Sequence, residues 1–356
     1  MSTDTKIDFL EKLLSTPSPV GYEVAGQRVW LDFVKPFSDE ITTDVYGSAA
    51  ASLKVSDDAI TVMLEAHCDE IGMVVQYIDS DGFVYINRLG GSDAGIARAK
   101  KVFIHTQKGI VSGVIGNTAI HLQDRTNKKL PTWKDLFIDI GAQNKEEAQQ
   151  MVRVGDPVTF TDDLEFITDD LITARALDNR IGSYIIACAL QKLSSQKDKL
   201  KVNVVAVNSV QEEIGGYGAR MMSYRLKPNV AIVTDVTHAT DTPGVDNKEH
   251  GEVKLGKGPA VTHGTANQIK LVEFLIETAD KAEIPIQHEA SSIRTGTDTD
   301  SIFYSGTGIA SALVSTPMRY MHSPVEMVSL QDAAHVSELM VQAVLMMEAK
   351  QSFELF

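Results

Sequence analysis

The stretch from Val202 to Gly218 constrains the fold more than any other part of this 356-residue chain. Residues 202–207 form a β-branched, apolar run of strand length, which is typical of a strand buried on both faces of a sheet. Two adjacent carboxylates follow it, Glu212 and Glu213, and a helix is predicted to begin near Tyr217 after a Gly-Gly turn. In open α/β sheets ligands bind outside the carboxyl ends of the strands, so the pair is a candidate site. A solvated polar turn is the alternative for such a pair standing alone.

Composition narrows the class of protein. The formal net charge of −15 argues against nucleic acid or an anionic membrane as partner. No apolar run reaches membrane-spanning length, and residues 1–14 lack the basic and apolar regions of a secretory signal. Cys68 and Cys188 have neither metal nor redox spacing. Free thiols in a reducing compartment are the simplest interpretation, which predicts a cytoplasmic protein.

Two kinds of sequence pattern occur in different parts of the chain. Residues 1–70 and 162–356 alternate helix and strand and predict an α/β catalytic domain. Residues 71–161 instead contain short alternating strands with many glycines, which predict a small β-barrel or sandwich inserted for dimerisation or assembly. In the α/β part, periodicity predicts helices over 5–15, 23–34, 179–193, 267–282 and 330–349, and strands over 60–66, 202–208, 230–234 and 309–314.

Polar residues of the kind that bind metal occur in loops that follow strands or open helices. Besides Glu212 and Glu213, they are His67, Asp69, Asp178, Asp235 and His322. Zinc takes imidazole nitrogen and carboxylate oxygen, and two metal ions about 3.5–4 Å apart need a bridging group, usually a carboxylate. The set therefore suits a dinuclear hydrolase, although His-x-Asp and Glu-Glu are individually common.

One arrangement satisfies both metal positions and the charge balance. Asp178 bridges, His67 and Asp235 complete the first position, and Glu213 and His322 complete the second. Three carboxylates, two divalent cations and one hydroxide then sum to zero charge, as a buried site requires. Asp69 is placed to orient the His67 ring, and Glu212 remains as general base toward a metal-bridging water.

Six segments in order make the chain resemble the tetrahedron-forming dinuclear aminopeptidases, a family of glutamyl and deblocking enzymes in which some members are labelled endoglucanase. The segments are AHCDEIG (66–72), ALDNRIG (176–182), QEEIGGYGA (211–219), TDVTHATDTPG (234–244), TGTD (295–298) and RYMHSPVE (319–326). The resemblance extends over essentially the whole chain, and the position of the β insertion also matches.

The resemblance implies a mixed-sheet α/β/α metallopeptidase domain and an aminopeptidase acting on short peptides. It implies two divalent ions per subunit, zinc first with cobalt or manganese as alternatives, and a tetrahedral homo-dodecamer. The implied ligands and catalytic residues are those of the arrangement above: His67, Asp178, Glu213, Asp235 and His322 on metal, Glu212 as base and Asp69 orienting His67. Two positions depart from the family pattern. Tyr217 stands in the place of a usual arginine, and Asn179 replaces a frequent aspartate.

Other residues near these motifs have weaker assignments. His238 is a candidate for a contact to substrate or to a ligand, and Arg294 for a contact to substrate carbonyl or carboxylate groups. Strand alternation turns Cys68 away from His67, which favours a packed thiol.

Two alternative functions remain open at this level. A glycoside hydrolase would use Glu212 with a second carboxylate about 5–10 Å away and no metal, which leaves the two histidines without a role. A metal-stabilised scaffold would not need the free carboxylate of Glu212. Sensitivity to chelators distinguishes the glycosidase from the metallopeptidase.

Overall fold

The computed structural model describes residues 3–122 and 130–356. The helices are α1 (Thr3–Ser15), α2 (Val24–Val34), α3 (Ala94–Ala97), α4 (Lys145–Met151), α5 (Leu177–Ser194), α6 (Tyr217–Leu226), α7 (Asn247–His250), α8 (Ile269–Lys281), α9 (Thr299–Ile302) and α10 (Leu330–Met346). No helix among the described residues has both the length and the apolar character needed to cross a membrane.

The strands fall into a large sheet and a barrel. They are β1 (Glu40–Thr43), β2 (Ala49–Leu53), β3 (Thr61–His67), β4 (Gly72–Ile78), β5 (Val84–Leu89), β6 (Lys101–Thr106), β7 (Gly109–Ile115), β8 (Phe137–Asp139), β9 (Pro157–Phe160), β10 (Glu165–Phe166), β11 (Leu171–Ala174), β12 (Asn203–Ser209), β13 (Val230–Val233), β14 (Val236–His238), β15 (Ala260–His263), β16 (Gln287–Ala290), β17 (Ala310–Arg319) and β18 (Glu326–Ser329).

The large sheet is mixed and carries helices on both faces. Its strand order is β1-β2-β12-β3-β13-β17-β18-β11-β10; β14 and β15 also pair with β17, and β16 pairs with β15. On β12, Val204 and Ala206 face the core under α1, α2, α5, α8 and α10, whereas Val205 and Val207 face α6 and α9. The apolar run is therefore buried on both faces, and the predicted α/β/α architecture is confirmed.

The inserted segment forms a separate closed barrel in the order β4-β5-β8-β7-β6-β9. Alternate residues of its strands, among them Met73, Val75, Ile86 and Ile104, point inward and form a core of their own. Period-two alternation over short strands is what a barrel filled by side chains requires. The predicted β insertion is thus confirmed as a barrel.

One strand differs in extent from the prediction. β17 was expected to end near Val314 but continues to Arg319, although Ser-Thr-Pro ordinarily signals a turn. The extension is possible because β14 and β15 supply partners beyond β13, with Thr237 paired to Pro317 and Ala260 to Ser315. These partners are distant in sequence, so local pattern could not reveal them.

The central strands bring polar loops to one edge of the sheet. β3, β12 and β13 are parallel, and His67 at the end of β3 pairs in register with Ser209 at the end of β12. Asp235 lies two residues after the end of β13. The carboxyl ends of three adjacent strands therefore converge on the predicted site.

Two buried arginines anchor α1 to this edge. Arg180 donates to the carbonyls of Leu13, Thr16 and Cys68, and with Arg175 it binds the buried Glu70 carboxylate. Burial alone would raise the pKa of Glu70, but the two guanidinium groups hold it below its ordinary value. The network fixes the start of α5, which carries Asp178, against the loop after β3.

We expect Arg180→Met to lower the free energy of unfolding by roughly 3–5 kcal/mol, because it leaves buried partners without their donor. Arg225→Met is the matched control, since Arg225 is exposed and donates to the Thr43 carbonyl. The control should change stability by less than about 0.5 kcal/mol. Urea unfolding of both variants measures the difference, and equal effects would contradict an anchoring role for Arg180.

Candidate metal centre

The five predicted ligands come from five separate segments and meet in one place. His67 ends β3, Asp178 opens α5, Glu213 lies in a 3-10 turn after β12, Asp235 follows β13 and His322 follows β17. Within the described ranges, two groups of side chains have donor atoms that all lie within 4.8 Å of one another. They are His67, Asp178 and Asp235, and Asp178, Glu213 and His322.

Asp178 belongs to both groups and uses a different oxygen in each. Its Oδ1 lies 3.3 Å from His67 Nε2, and its Oδ2 lies 3.4 Å from His322 Nε2. Asp235 Oδ1 is 3.5 Å from His67 Nε2, and Glu213 Oε2 is 3.4 Å from His322 Nε2. A carboxylate with one oxygen directed to each group has the geometry of a bridging ligand.

The chemistry of these groups fits divalent cations. Each group offers one imidazole nitrogen and two carboxylate oxygens, a donor set suited to zinc and to related ions. Glu213 Oε1 is buried and has no hydrogen-bond partner among the described residues. A buried, unpaired carboxylate oxygen is costly unless something positive binds it, which supports a cation beside Glu213.

Asp69 contacts both His67 and the turn that carries the two glutamates. Its Oδ1 is 3.5 Å from His67 Nδ1, and its backbone carbonyl lies closer, at 3.2 Å. The carboxylate also accepts the backbone N–H groups of Glu212 at 3.0 Å and Glu213 at 3.1 Å. Asp69 can therefore orient His67 from one side and hold the 3-10 turn from the other.

Glu212 lies beside the two groups without belonging to either. Its Oε2 is 3.9 Å from His67 Nε2, and its side chain is 14% exposed toward the cavity. Burial raises the pKa of Glu212 well above its ordinary value; His67 opposes the shift, and the charges of Asp298 and Asp235 add to it. A carboxyl group that can both take and return a proton is what general-base chemistry needs.

Two positioning groups were not singled out in the sequence. The buried carboxylate of Glu326 accepts the backbone N–H of Asp178 through Oε2 and that of His322 through Oε1, both at 3.0 Å. The carbonyl of Gly91 lies 3.2 Å from His322 Nδ1. Glu326 lies within the RYMHSPVE segment, but nothing in its spacing indicates that its carboxylate accepts the backbone N–H groups of two predicted ligands.

The two departures from the family pattern lie in different environments. Asn179 is fully buried; its amide donates to the Thr234 carbonyl and accepts from the Gly182 N–H, each at 3.0 Å. An aspartate could not make the first bond. Tyr217 is 49% exposed, and a Cβ added to Gly215 would lie 3.1 Å from its ring.

A cavity of about 820 Å³ opens over the two groups. His238 and Arg294 line it, as do Asp300 and Tyr304, and both predicted substrate-contact candidates therefore face the same space. Cys68 is a buried free thiol and belongs to neither candidate metal-binding group. Burial raises the pKa of this thiol, which favours the packed role over the ligand role.

Without metal, the carboxylates control the protonation of the second group. Burial opposes a charge on His322, but Asp178 and Glu213 outweigh burial and raise the pKa of His322 to about 10. Burial and the charge on Asp178 raise the pKa of Glu213 to about 8. The side chains of His322 and Glu213 are therefore both protonated at neutral pH, and a cation would have to displace these protons.

We expect the metal-free protein to lose stability as the pH rises. The contribution of protonated His322 is complete below its ordinary pKa of 6.5 and is lost as the pH passes about 10. Glu213 acts in the same direction, because the unfolded chain releases near 4.5 a proton that the folded chain holds to about 8. A metal ion held by these residues would displace both protons and so remove this dependence of stability on pH. Urea unfolding over this pH range, with chelator and with zinc, tests it; equal slopes would contradict it.

Comparisons with known proteins point to one family. Residues 47–339 match the sequence model of the M42 glutamyl aminopeptidase family. A lysyl aminopeptidase of Pyrococcus furiosus is 34% identical over 338 residues, which cover 93% of this chain and 94% of that protein.

Solved structures agree in fold over nearly the whole chain. A TET aminopeptidase from Thaumarchaeota archaeon SCGC AB-539-E09 has a TM-score of 0.92 and 30% identity, with 97% of each chain covered. The TET1 peptidase of Pyrococcus horikoshii, described as assembling into a tetrahedron or a large octahedral shell, has a TM-score of 0.86 and 28% identity. The alignment covers 96% of this chain and 100% of that one.

Proposed function

This chain belongs to the M42 glutamyl aminopeptidase family, and we propose that it is a dinuclear metal-dependent aminopeptidase that removes the N-terminal residue from short peptides. Membership makes it a peptide-bond hydrolase. The use of two ions, the roles of individual residues and the order of proton transfers are the parts we propose.

The residues that would hold the ions divide into two sets that share one member. His67 and Asp235 would hold the first ion, Glu213 and His322 the second, and Asp178 both. When bound, the two ions act as Lewis acids that acidify water and polarise a carbonyl group. Zinc suits the donor set, and the same donors accept cobalt or manganese.

Glu212 supplies the proton transfers. Its carboxylate accepts a proton from the attacking water and returns it to the nitrogen of the leaving peptide. Asp69 keeps Glu212 in place through the backbone N–H of that residue, and it orients the His67 ring. The side chain of Glu212 faces the cavity and belongs to neither candidate ligand group. Its carboxylate is therefore free to carry a proton.

One observation carries this proposal: the two oxygens of Asp178 are directed to two different histidines. A glycoside hydrolase needs a carboxylate pair and no metal, so it offers no reason for two imidazoles to face a shared carboxylate. A metal-stabilised scaffold would not keep Glu212 in an open cavity beside the ligands.

The proposed function is tested with a panel of aminoacyl-p-nitroanilides. The purified protein is stripped with a chelator, refilled with zinc, cobalt or manganese, and assayed on each substrate, with a cellulose-type oligosaccharide as the competing substrate. Activity on the anilides that disappears on stripping and returns on refilling supports the proposal. Anilide hydrolysis that ignores the chelator, or hydrolysis of the oligosaccharide alone, would overturn it.

We further propose that the chain forms a tetrahedral homo-dodecamer in the cytoplasm, with the barrel of residues 71–161 as a dimerisation and assembly surface. The assemblies of the TET relatives support the oligomer. The two free cysteines support the reducing compartment. We expect light scattering to give twelve times the protomer mass for the whole chain and a smaller species after deletion of 71–161. A deletion variant with the full-length mass would place the assembly surface elsewhere.

A further inference from the structure

The turn between β5 and α3 leaves the barrel and reaches the second metal group. Gly90 and Gly91 lie in this turn, and the carbonyl of Gly91 is 3.2 Å from His322 Nδ1. The barrel therefore contributes directly to a site whose candidate ligands all belong to the α/β part of the chain.

A carbonyl oxygen can only accept a hydrogen bond, so this contact requires the proton of neutral His322 to be on Nδ1. The lone pair is then on Nε2, the nitrogen that faces Asp178 and Glu213 at 3.4 Å from each. Metal-binding histidines commonly have their tautomer and ring orientation set by such a second partner.

Burial confines the ring of His322 less than it confines the ring of His67. Its side chain is 35% exposed, whereas that of His67 is 1% exposed. Its backbone has φ of 59°, a conformation that non-glycine residues seldom adopt, and Glu326 holds it through the backbone N–H. Asp178 and Glu213 contact the ring at Nε2, and the Gly91 carbonyl contacts it at Nδ1, on the opposite side from the candidate ligands.

The approach of this turn leaves no room for side chains. A Cβ at Gly91 would lie 2.6 Å from His322 Nδ1 and 2.7 Å from Cε1. A Cβ at Gly90, where φ is +74°, would lie 3.2 Å from Glu213 Oε2. Glycine is the residue for close approach of backbone to a functional group, and these two glycines meet the two ligands specific to the second group.

We propose that the Gly90–Gly91 turn is a positioning element of the second metal site, so that the barrel is part of the metal centre as well as a surface for assembly. This inference rests on the proposed function, since it takes Glu213 and His322 as ligands. It predicts that disturbing the turn lowers the affinity for the second ion. The first ion should stay bound by His67, Asp178 and Asp235.

Gly91→Ala is the direct test. The backbone φ at Gly91 is not positive, so alanine adds no backbone strain there and acts through the clash with the His322 ring. We expect the affinity of the second zinc ion to fall roughly 10–100-fold, the usual effect of losing a group that orients a ligand. The affinity of the first ion should stay unchanged. Titration of metal-stripped, full-length protein against a competing chromophoric chelator measures both steps without reference to activity.

Gly113→Ala is the matched control. It also adds a methyl group to a barrel glycine with no positive φ, but that Cβ would lie 2.3 Å from Ile138 Cγ2 inside the barrel. We expect it to lower the stability of the barrel and to leave both zinc affinities as in the wild type.

The outcomes distinguish a failure of the positioning role of the turn from a failure of the proposed function. Gly91→Ala with both wild-type affinities would overturn the positioning role while leaving the proposed function intact. An equal loss of affinity for the second ion in Gly91→Ala and Gly113→Ala would also overturn the positioning role. Barrel packing rather than the turn would then be responsible for the loss. A wild-type protein that binds no divalent ion would overturn the proposed function and this inference together.

Discussion

Replacing Glu212 by glutamine should leave both metal ions bound and lower kcat by roughly 10²–10⁴-fold, the usual contribution of a general base. Glutamine keeps the shape of the side chain but cannot take the proton. The change alters neither ligand group, and the backbone N–H bond to Asp69 remains available, so folding should be unaffected. Metal content by mass spectrometry and kcat on an aminoacyl-p-nitroanilide measure the two effects.

Glu213→Gln is the matched comparison one residue away. A neutral amide is a poor replacement for a ligand carboxylate, so this variant should lose affinity for the second ion, whose other proposed ligands are His322 and Asp178. If instead Glu212→Gln loses an ion and Glu213→Gln keeps both, the two assignments are reversed. Normal turnover by Glu212→Gln would refute its role as base.

Replacing Asp178 by asparagine should have the larger effect on metal binding. Asp178 alone contributes an oxygen to each of the two groups found within the described residues, so its loss weakens both positions at once. Asparagine retains one neutral oxygen and presents a donor where the second oxygen stood. We expect most of both ions to be lost and activity to fall by more than the roughly 10⁴-fold upper bound of a general-base effect.

Asp300→Asn provides the control for the same chemical change in the same cavity. Asp300 lines the cavity, but its oxygens accept the backbone N–H groups of Thr295 and Gly296, and it belongs to neither metal group. This variant should bind two ions with wild-type affinity. Retention of both ions by Asp178→Asn, or their loss in Asp300→Asn, would contradict a bridging role for Asp178.

Elements with a strong local signal were predictable. The helix over 5–15 and the strand over 202–208 correspond to α1 and β12, because periodicity in a run of residues reports directly on burial. The barrel was predictable from its alternating strands, and its closure was not, since closure depends on pairs such as Met73 with Val158 that are far apart in sequence. The extension of β17 past Val314 was missed for the same reason.

The sequence by itself determined the chemical types at the site and their place at strand ends, because side-chain identity and hydrophobic periodicity are written locally. Only the tertiary structure decided which of those side chains meet, which oxygen of Asp178 faces which histidine, and which groups hold them. Glu326 acts through backbone N–H groups, and Gly91 through a backbone carbonyl. Every residue except proline carries both a backbone N–H and a backbone carbonyl. Long-range packing therefore determines which of them contact the site, and composition and spacing do not indicate it.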